Sequence, residues 1–290
     1  LAHVVERVRR AGASAEELAA LADLSPAARC ALDTALLDLV ARRQGSTVTE
    51  CLGGAEVELD VAALLTGDSP DELAAEAALR VAAGYRCLKI KVGGRPPAAE
   101  RRRVAAVRVS SGSDVALRLD ANRSWSAEEA RRTLAELAPF AIDFLEEPLR
   151  TPRPLELARL RREGAPIALD ESVASGEDLS RYLDAGAADA IVLKAARVGG
   201  PTPVLALARL GQTAGLRVVV TDSIESSVGR SAAVHLAAAL PEPHAAVGLG
   251  GAMLLERDVL ADGAPPGARV SPRGPGLGVT PVDHAVEWYG

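Results

Sequence analysis

Residues 87–120 read CLKIKVGGRPPAAERRRVAAVRVSSGSDVALRLD. A short apolar run, Cys87–Val92, stops at Gly93-Gly94, an Arg-rich stretch follows, and Gly112 leads into a second run, Val115–Asp120. Short runs rich in Val, Ile and Leu and fenced by turn residues are strand signals, and a helical stretch between two of them makes a strand–helix–strand unit. The unit recurs on both sides. Candidate strands are Val57–Leu64, Cys87–Val92, Val115–Asp120, Ile142–Glu147, Ile167–Asp170, Ala190–Lys194, Arg217–Thr221 and Ala246–Leu249, with ends spaced by roughly 24 to 30 residues. The helices between them carry their own signals. Ser69-Pro70-Asp71-Glu72 opens one that Gly84 closes, Ser126-Ala127-Glu128-Glu129 is a capping box, and Pro201 starts another that Gly215 ends.

Strict alternation predicts right-handed parallel βα units, and eight of them close into a (β/α)8-type barrel, an α/β fold, rather than an open sheet. The absence of a GxGxxG after the first strand argues against dinucleotide binding. Residues 1–55 read as a helical pair: Ser25-Pro26 offers an N-cap and a proline at the first helical position, Leu32, Leu36 and Leu39 recur at helical spacing, and Gly45 stops the run. The Gly- and Pro-rich tail from Gly263 is expected to return over those helices. The chain opens on Leu1 rather than Met, so residues are expected ahead of it in the natural protein.

Composition narrows the function. With 48% apolar and 25% charged residues the chain should fold by burial, and a net charge of −6 with interspersed signs excludes a phosphate-tracking surface. Cys30, Cys51 and Cys87 are odd in number and form no CxxC pair, which fits a reducing compartment and ordinary core thiols. No apolar run approaches the ~18 residues of a membrane span. These readings predict a cytoplasmic protein with neither membrane nor nucleic acid as partner. Seven aromatics in 290 residues leave few anchors for a subunit interface. All but three of the 33 basic residues are Arg, and the lysines are Lys89, Lys91 and Lys194. Either codon bias writes the other cations as Arg, or Lys is kept where an amine must be able to lose its proton, which guanidinium cannot do.

In such barrels the site lies at the C-terminal ends of the strands. Those ends are polar here: Lys89-Ile90-Lys91, Asp120, Glu146-Glu147, Asp170-Glu171 and Lys194. Strand alternation puts Lys89 and Lys91 on one face. A lone acid at a strand end is ordinarily a helix cap or a solvated turn. Three acids and two amine positions on successive strands exceed what capping explains, and the convergent negative charge calls for a hard divalent cation. All-oxygen ligation favours magnesium over zinc. His235, on an apolar helix, reads as a satisfied core imidazole, and His3, His244 and His284 also lie outside the strand ends.

The ordered motifs Leu88-Lys89-Ile90-Lys91-Val92-Gly93, Leu119-Asp120-Ala121-Asn122-Arg123-Ser124-Trp125, Leu145-Glu146-Glu147-Pro148-Leu149, Leu169-Asp170-Glu171-Ser172 and Val192-Leu193-Lys194 resemble the enolase superfamily, in its muconate-lactonizing-enzyme-like subgroup. The resemblance implies a modified TIM barrel, (β/α)7β, over residues 56–262. It implies a capping domain whose helical part is residues 1–55 and to which residues 263–290 return. One Mg2+ per site, replaceable by Mn2+, would be held by Asp120, Glu146 and Asp170. Lys91 and Lys194 would be acid/base lysines, facing each other across the mouth. Lys89, Asn122, Glu171, Ser223, Glu225, Ser226, Gly248 and Gly250 would bind substrate or support those groups.

The chemistry explains these parts. A proton beside a carboxylate is very weakly acidic, and its removal leaves an enediolate whose charge a Lewis acid must stabilise. The segment Ser223-Ile224-Glu225-Ser226-Ser227-Val228-Gly229 resembles that of o-succinylbenzoate synthases of menaquinone synthesis. Its hydroxyls and its amides at a helix start suit a second carboxylate on a small-molecule substrate. Gly248-Leu249-Gly250-Gly251 lacks the Asp-x-Asp typical of dipeptide epimerases. The expected activity is that of a carbon–oxygen lyase making o-succinylbenzoate. Racemisation of N-acylamino acids and muconate-type cycloisomerisation are the alternatives with the same metal and lysines. A Schiff-base aldolase through Lys194 and a noncatalytic barrel are further ones.

Overall fold

The computed structural model describes residues 24–164, 166–260 and 267–280. Local signals set most element starts. Helix α1 (Pro26–Gln44) begins where the Ser25 hydroxyl accepts the Ala28 amide and ends at Gly45, whose φ of 66° is the left-handed C-cap that glycine adopts without penalty. The short α2 (Val48–Cys51) follows, with a capping box between Thr47 and Glu50. Strand β1 (Leu59–Leu65), helix α3 (Pro70–Ala82), strand β2 (Cys87–Lys91), helix α4 (Pro97–Ser111), strand β3 (Ala116–Asp120) and helix α5 (Ala127–Leu137) then alternate as the turn residues predict. Capping boxes at Ser69 and Ser126 start α3 and α5. Strand β4 (Phe144–Glu146), helix α6 (Pro154–Arg162), strand β5 (Ile167–Leu169), helix α7 (Gly176–Asp184) and strand β6 (Ala190–Leu193) continue the series. After β6 come α8 (Ala195–Val198), α9 (Pro201–Thr213), β7 (Arg217–Val220), α10 (Ser227–Ala238), β8 (Val247–Gly248) and β9 (Arg269–Val270).

The chain divides into two compact units that do not follow sequence order. A central unit holds Asp60–Val192 and Gly211–Val218, and a terminal unit holds Leu1–Leu59, Leu193–Leu210 and Val219–Gly290. In the central unit β1 to β6 pair in chain order, all parallel. Leu88, Ile90, Leu117, Leu119 and Leu145 are wholly buried. The residues that alternate with them are Lys89, Lys91, Arg118, Asp120, Phe144 and Glu146, so one face of the sheet is aliphatic and the other carries charge. The register places Lys91 beside Asp120 and Asp120 beside Glu146. One pleat lower, Arg118 stacks over the Phe144 ring at 4.9 Å and bonds Asp143.

In the terminal unit the last described segment runs back along the first two helices. Leu277 N–H donates to Asp38, Val48 N–H donates to the Gly276 carbonyl, and the Arg42 guanidinium reaches the Val279 carbonyl. Asp33 of α1 is fully buried and takes the amide and hydroxyl of Thr202, at 2.8 and 3.0 Å, at the start of α9. A Cβ at Gly200 would come within 2.6 Å of that carboxylate, so glycine is what lets helix and turn approach. His235 is fully buried in α10, its Nδ1 accepting from the Thr49 amide at 3.1 Å, while Nε2 is buried without a hydrogen-bond partner, so the expected satisfied imidazole is satisfied at one nitrogen only. Residues 1–23 of the expected helical pair, with His3, and the tail residues 261–266 and 281–290, with His284, lie outside the described residues.

Candidate active site

The strand ends of the central unit bring the predicted residues together. Lys89 and Lys91 leave β2 on the same face and both donate to Asp120 Oδ2, at 2.8 and 2.6 Å. Lys89 Nζ also donates to Glu146 Oε2 at 2.7 Å, so it bridges the acids of β3 and β4. Lys91 Nζ has a second acceptor, Asn122 Oδ1, at 2.6 Å. The Asn122 amide group is oriented from its other end, since Nδ2 donates to Glu171 Oε1 at 3.1 Å and its backbone N–H donates to Asp120 Oδ1 at 3.0 Å. Asn122 accordingly presents its oxygen, not its NH2, to the lysine.

Burial and charge compete within this group. Burial pushes the Asp120 carboxyl up, but the Lys89 and Lys91 ammonium groups outweigh it and hold the acid down at about 2. Burial works against the Lys89 ammonium, and Glu146 and Asp120 overcome it to raise that amine above its ordinary range. Glu146 is pushed upward, by burial first and then by the Asp120 and Asp170 carboxylates, against the pull of Lys89. Asp120 meets both ammonium groups and Glu146 only that of Lys89, so Glu146 is the one left short of positive charge.

Among the described residues no three His, Cys, Asp or Glu side chains stand drawn together as a ready-made metal cage. Lys89 supplies the positive charge between Asp120 and Glu146 instead. The donor set nevertheless fits a hard divalent cation. It consists of carboxylate oxygens, it carries excess negative charge, and Glu146 Oε1 is a buried oxygen with no hydrogen-bond partner.

Glu147, next to Glu146, does something the sequence did not announce. Its φ of 42° turns the chain out of β4, and its wholly buried carboxylate accepts the Asp170 and Ser172 amides, the Ser172 hydroxyl and Arg123 Nε. Asn122 and Arg123 have φ of 40° and 60°. Non-glycine residues held in that region cost about 1–3 kcal/mol each and cluster at functional sites. The only sequence signal for Glu147 was the Glu-Glu doublet before Pro148.

The terminal unit contains the rest of the predicted residues. Lys194 directly follows β6 as the N-cap residue of α8 rather than as a strand residue. Asp222, not among the predicted site residues, is buried and pushed up to about 6, chiefly by desolvation, against the Gly251 amide, Arg230, the Ile224 amide and Lys194. Glu225 is raised by burial and then by Asp222. Asp222 Oδ2 and Glu225 Oε1 are buried without a hydrogen-bond partner. Ser223 is exposed, while Ser226, Gly248 and Gly250 are half-buried. A Cβ at Gly248 would lie 2.4 Å from Thr221 Oγ1, which explains why no acid stands there. One expectation meets an occupied donor: the Ser227 amide that opens α10 already donates to Asp258, 2.9 Å away, which also pairs with Arg230.

Known proteins resemble this chain in sequence and structure. A family model described as enolase C-terminal domain-like matches residues 72–285. The chain belongs to the enolase superfamily. Within the superfamily it falls in the muconate-lactonizing-enzyme-like subgroup, and its fold class is the modified TIM barrel. Muconate cycloisomerase 1 of Pseudomonas putida is 33% identical over 260 residues, 87% of this chain and 69% of its own length. The o-succinylbenzoate synthase of Thermobifida fusca is 42% identical over 192 residues, 64% of this chain and 59% of its own. The crystal structure of a dipeptide epimerase from Cytophaga hutchinsonii, complexed with Mg and the dipeptide D-Ala-L-Val, is similar with a TM-score of 0.73 and 31% identity, covering 79% of this chain and 62% of that one. This enolase-superfamily chain thus spans about two thirds of the length of the relatives it matches. Their three names denote three different reactions, so membership gives an enzyme family without choosing among lyase, cycloisomerase and epimerase. Among the described residues no helix is long and apolar enough to cross a membrane.

Proposed function

We propose that this chain carries the site of a magnesium-dependent o-succinylbenzoate synthase, which dehydrates 2-succinyl-6-hydroxy-2,4-cyclohexadiene-1-carboxylate for menaquinone synthesis. The observation that carries the choice is the 42% identity to the Thermobifida fusca enzyme, against 33% and 31% for the cycloisomerase and the epimerase. Asp120, Glu146 and Asp170 would hold the cation. When bound, the metal supplies Lewis-acid stabilisation of the charge that gathers on the substrate carboxylate.

Lys91 is the amine positioned for proton transfer, with Asp120 and Asn122 fixing its Nζ. It takes the proton from the ring carbon bearing the carboxylate and passes it to the hydroxyl leaving the neighbouring carbon. One C–H and one C–O bond break, a ring double bond forms, water departs and the amine is restored. Lys194 is assigned the second amine of the family pattern. Lys89 holds Asp120 and Glu146 together.

A second reading, racemisation of an N-acylamino acid, gains from the Ser227 amide being engaged by Asp258, which leaves one fewer donor for a succinyl carboxylate. The deciding experiment follows loss of the cyclohexadiene by ultraviolet absorbance with Mg2+ and after chelation. Conversion that stops on chelation is expected. Absence of conversion together with solvent deuterium entering the α-carbon of N-acetylamino acids, which carry no second carboxylate on the acyl group, would replace the synthase with the racemase.

A further inference from the structure

Glu147 accepts four hydrogen bonds without belonging to the proton-transfer or metal-holding set. In a parallel ladder the amide of β5 that follows the Glu147-to-Ala168 bond should donate to the Glu147 carbonyl. The first half of that pattern is present, with Glu147 N–H donating to Ala168 O at 3.1 Å. The second half is replaced. The left-handed turn at Glu147 aims its carbonyl at the Arg123 amide, 2.7 Å away, and the Asp170 amide goes to the side chain, Oε1, at 2.9 Å. The same oxygen takes the Ser172 amide at 2.7 Å, while Oε2 takes the Ser172 hydroxyl at 2.8 Å and Arg123 Nε at 3.2 Å.

We propose that Glu147 is the positioning residue of the site: its carboxylate stands in for its own carbonyl in the β4–β5 ladder and so fixes the backbone of Asp170 relative to Glu146 and Asn122. This rests on the reading of Asp120, Glu146 and Asp170 as metal ligands. A buried carboxylate is costly unless fully hydrogen-bonded, and here each oxygen has two donors, two of the four being backbone amides at the β5 end. The displaced carbonyl is not wasted, because it ties down Arg123, beside the Asn122 that holds Lys91. One residue therefore links the ends of β3, β4 and β5.

The test compares Glu147→Ala, Glu147→Gln and Glu147→Asp with the unaltered chain in two readouts, Mn2+ affinity by paramagnetic resonance and hydrogen exchange of the segment 169–173. Supporting groups of this kind typically change metal affinity by roughly 10–100-fold. Glu147→Ala should bind Mn2+ that much more weakly and exchange faster at 169–173. Glu147→Gln keeps an oxygen for the two amides and should stay within about threefold of the unaltered chain in affinity. Glu147→Asp keeps the buried charge but withdraws it by one methylene, and it serves if the alanine variant fails to fold. It should resemble Glu147→Ala. Unaltered affinity and exchange in folded Glu147→Ala or Glu147→Asp would overturn the proposal, as would a Gln variant as weak as the Ala variant. If the unaltered chain binds no Mn2+, the metal reading fails, while the exchange comparison still decides the role of Glu147.

Discussion

Two pairs of acids, Asp120 and Glu147 in the central unit and Asp222 and Glu225 in the terminal unit, are treated differently. In the central unit Asp120 meets two ammonium groups and Glu147 meets four donors. In the terminal unit Asp222 has, among the described residues, only backbone amides as hydrogen-bond donors, those of Gly251, at 3.3 Å, and Ile224, and both it and Glu225 bury an oxygen with no partner. Two ammonium groups stabilise the ionised form of Asp120 while desolvation penalises that of Asp222, so burial is overcome at the first and prevails at the second. A carboxylate in a saturated site is held for a task at a fixed place. An undersatisfied one leaves stability ungained.

That contrast is open to attack by substitution, and the largest effect is expected at Lys91. Lys91→Ala should lower kcat by about 10²–10⁴-fold with the fold retained, because it removes the transferring amine from a half-exposed position and leaves Lys89 to pair with Asp120. Near-normal turnover would show that the saturated cluster is structural. Next comes Asp170→Asn, which should weaken Mn2+ binding by about tenfold or more with the fold retained. Metal titration giving the unaltered affinity would count against the triad.

Asp222→Asn should go the other way and stabilise. The folded pKa of about 6 lies above the ordinary 3.8, so the contribution of Asp222 is fully present below pH 3.8 and is lost as pH rises through about 6. The variant should gain about 1–3 kcal/mol at pH 7.5 and nothing at pH 3.5, read from denaturant midpoints. A destabilised variant at pH 7.5 would mean that the ionised acid is satisfied after all. The smallest effect is expected at His235, whose pKa burial lowers below its ordinary 6.5. Its folded form resists protonation, so stability should be full above pH 6.5 and decline below it, a slope opposite to that of Asp222. His235→Leu should abolish the decline, and an unchanged slope would assign it to other groups.

Much of this was legible in the chain because the signals were local. Capping boxes at Ser69 and Ser126, the glycine at 45 and the fenced apolar runs act within a few residues, and the elements fall where they point. Lys89, Lys91, Asp120 and Glu146 were legible as one group because strand alternation and parallel pairing turn sequence position into spatial position. What was not legible depends on distant partners or on backbone conformation. A strand read to Glu147 stops at Glu146 because Glu147 turns left-handed, and no propensity announces that at a glutamate. The Ser227 amide looked available at a helix start, yet its partner is Asp258, far along the chain. The burial of Asp33 likewise depends on Thr202, far along the chain.

The scarcity of lysine has a practical side. With amines confined to Lys89, Lys91 and Lys194, and Lys91 the most exposed of them, reagents aimed at lysine side chains have few targets and meet the candidate site first. Attachment to a support through lysine would tether the molecule by that site and silence it. Carboxyl-directed coupling to the many exposed acids would leave those amines free to be counted, one by one, by the same chemistry.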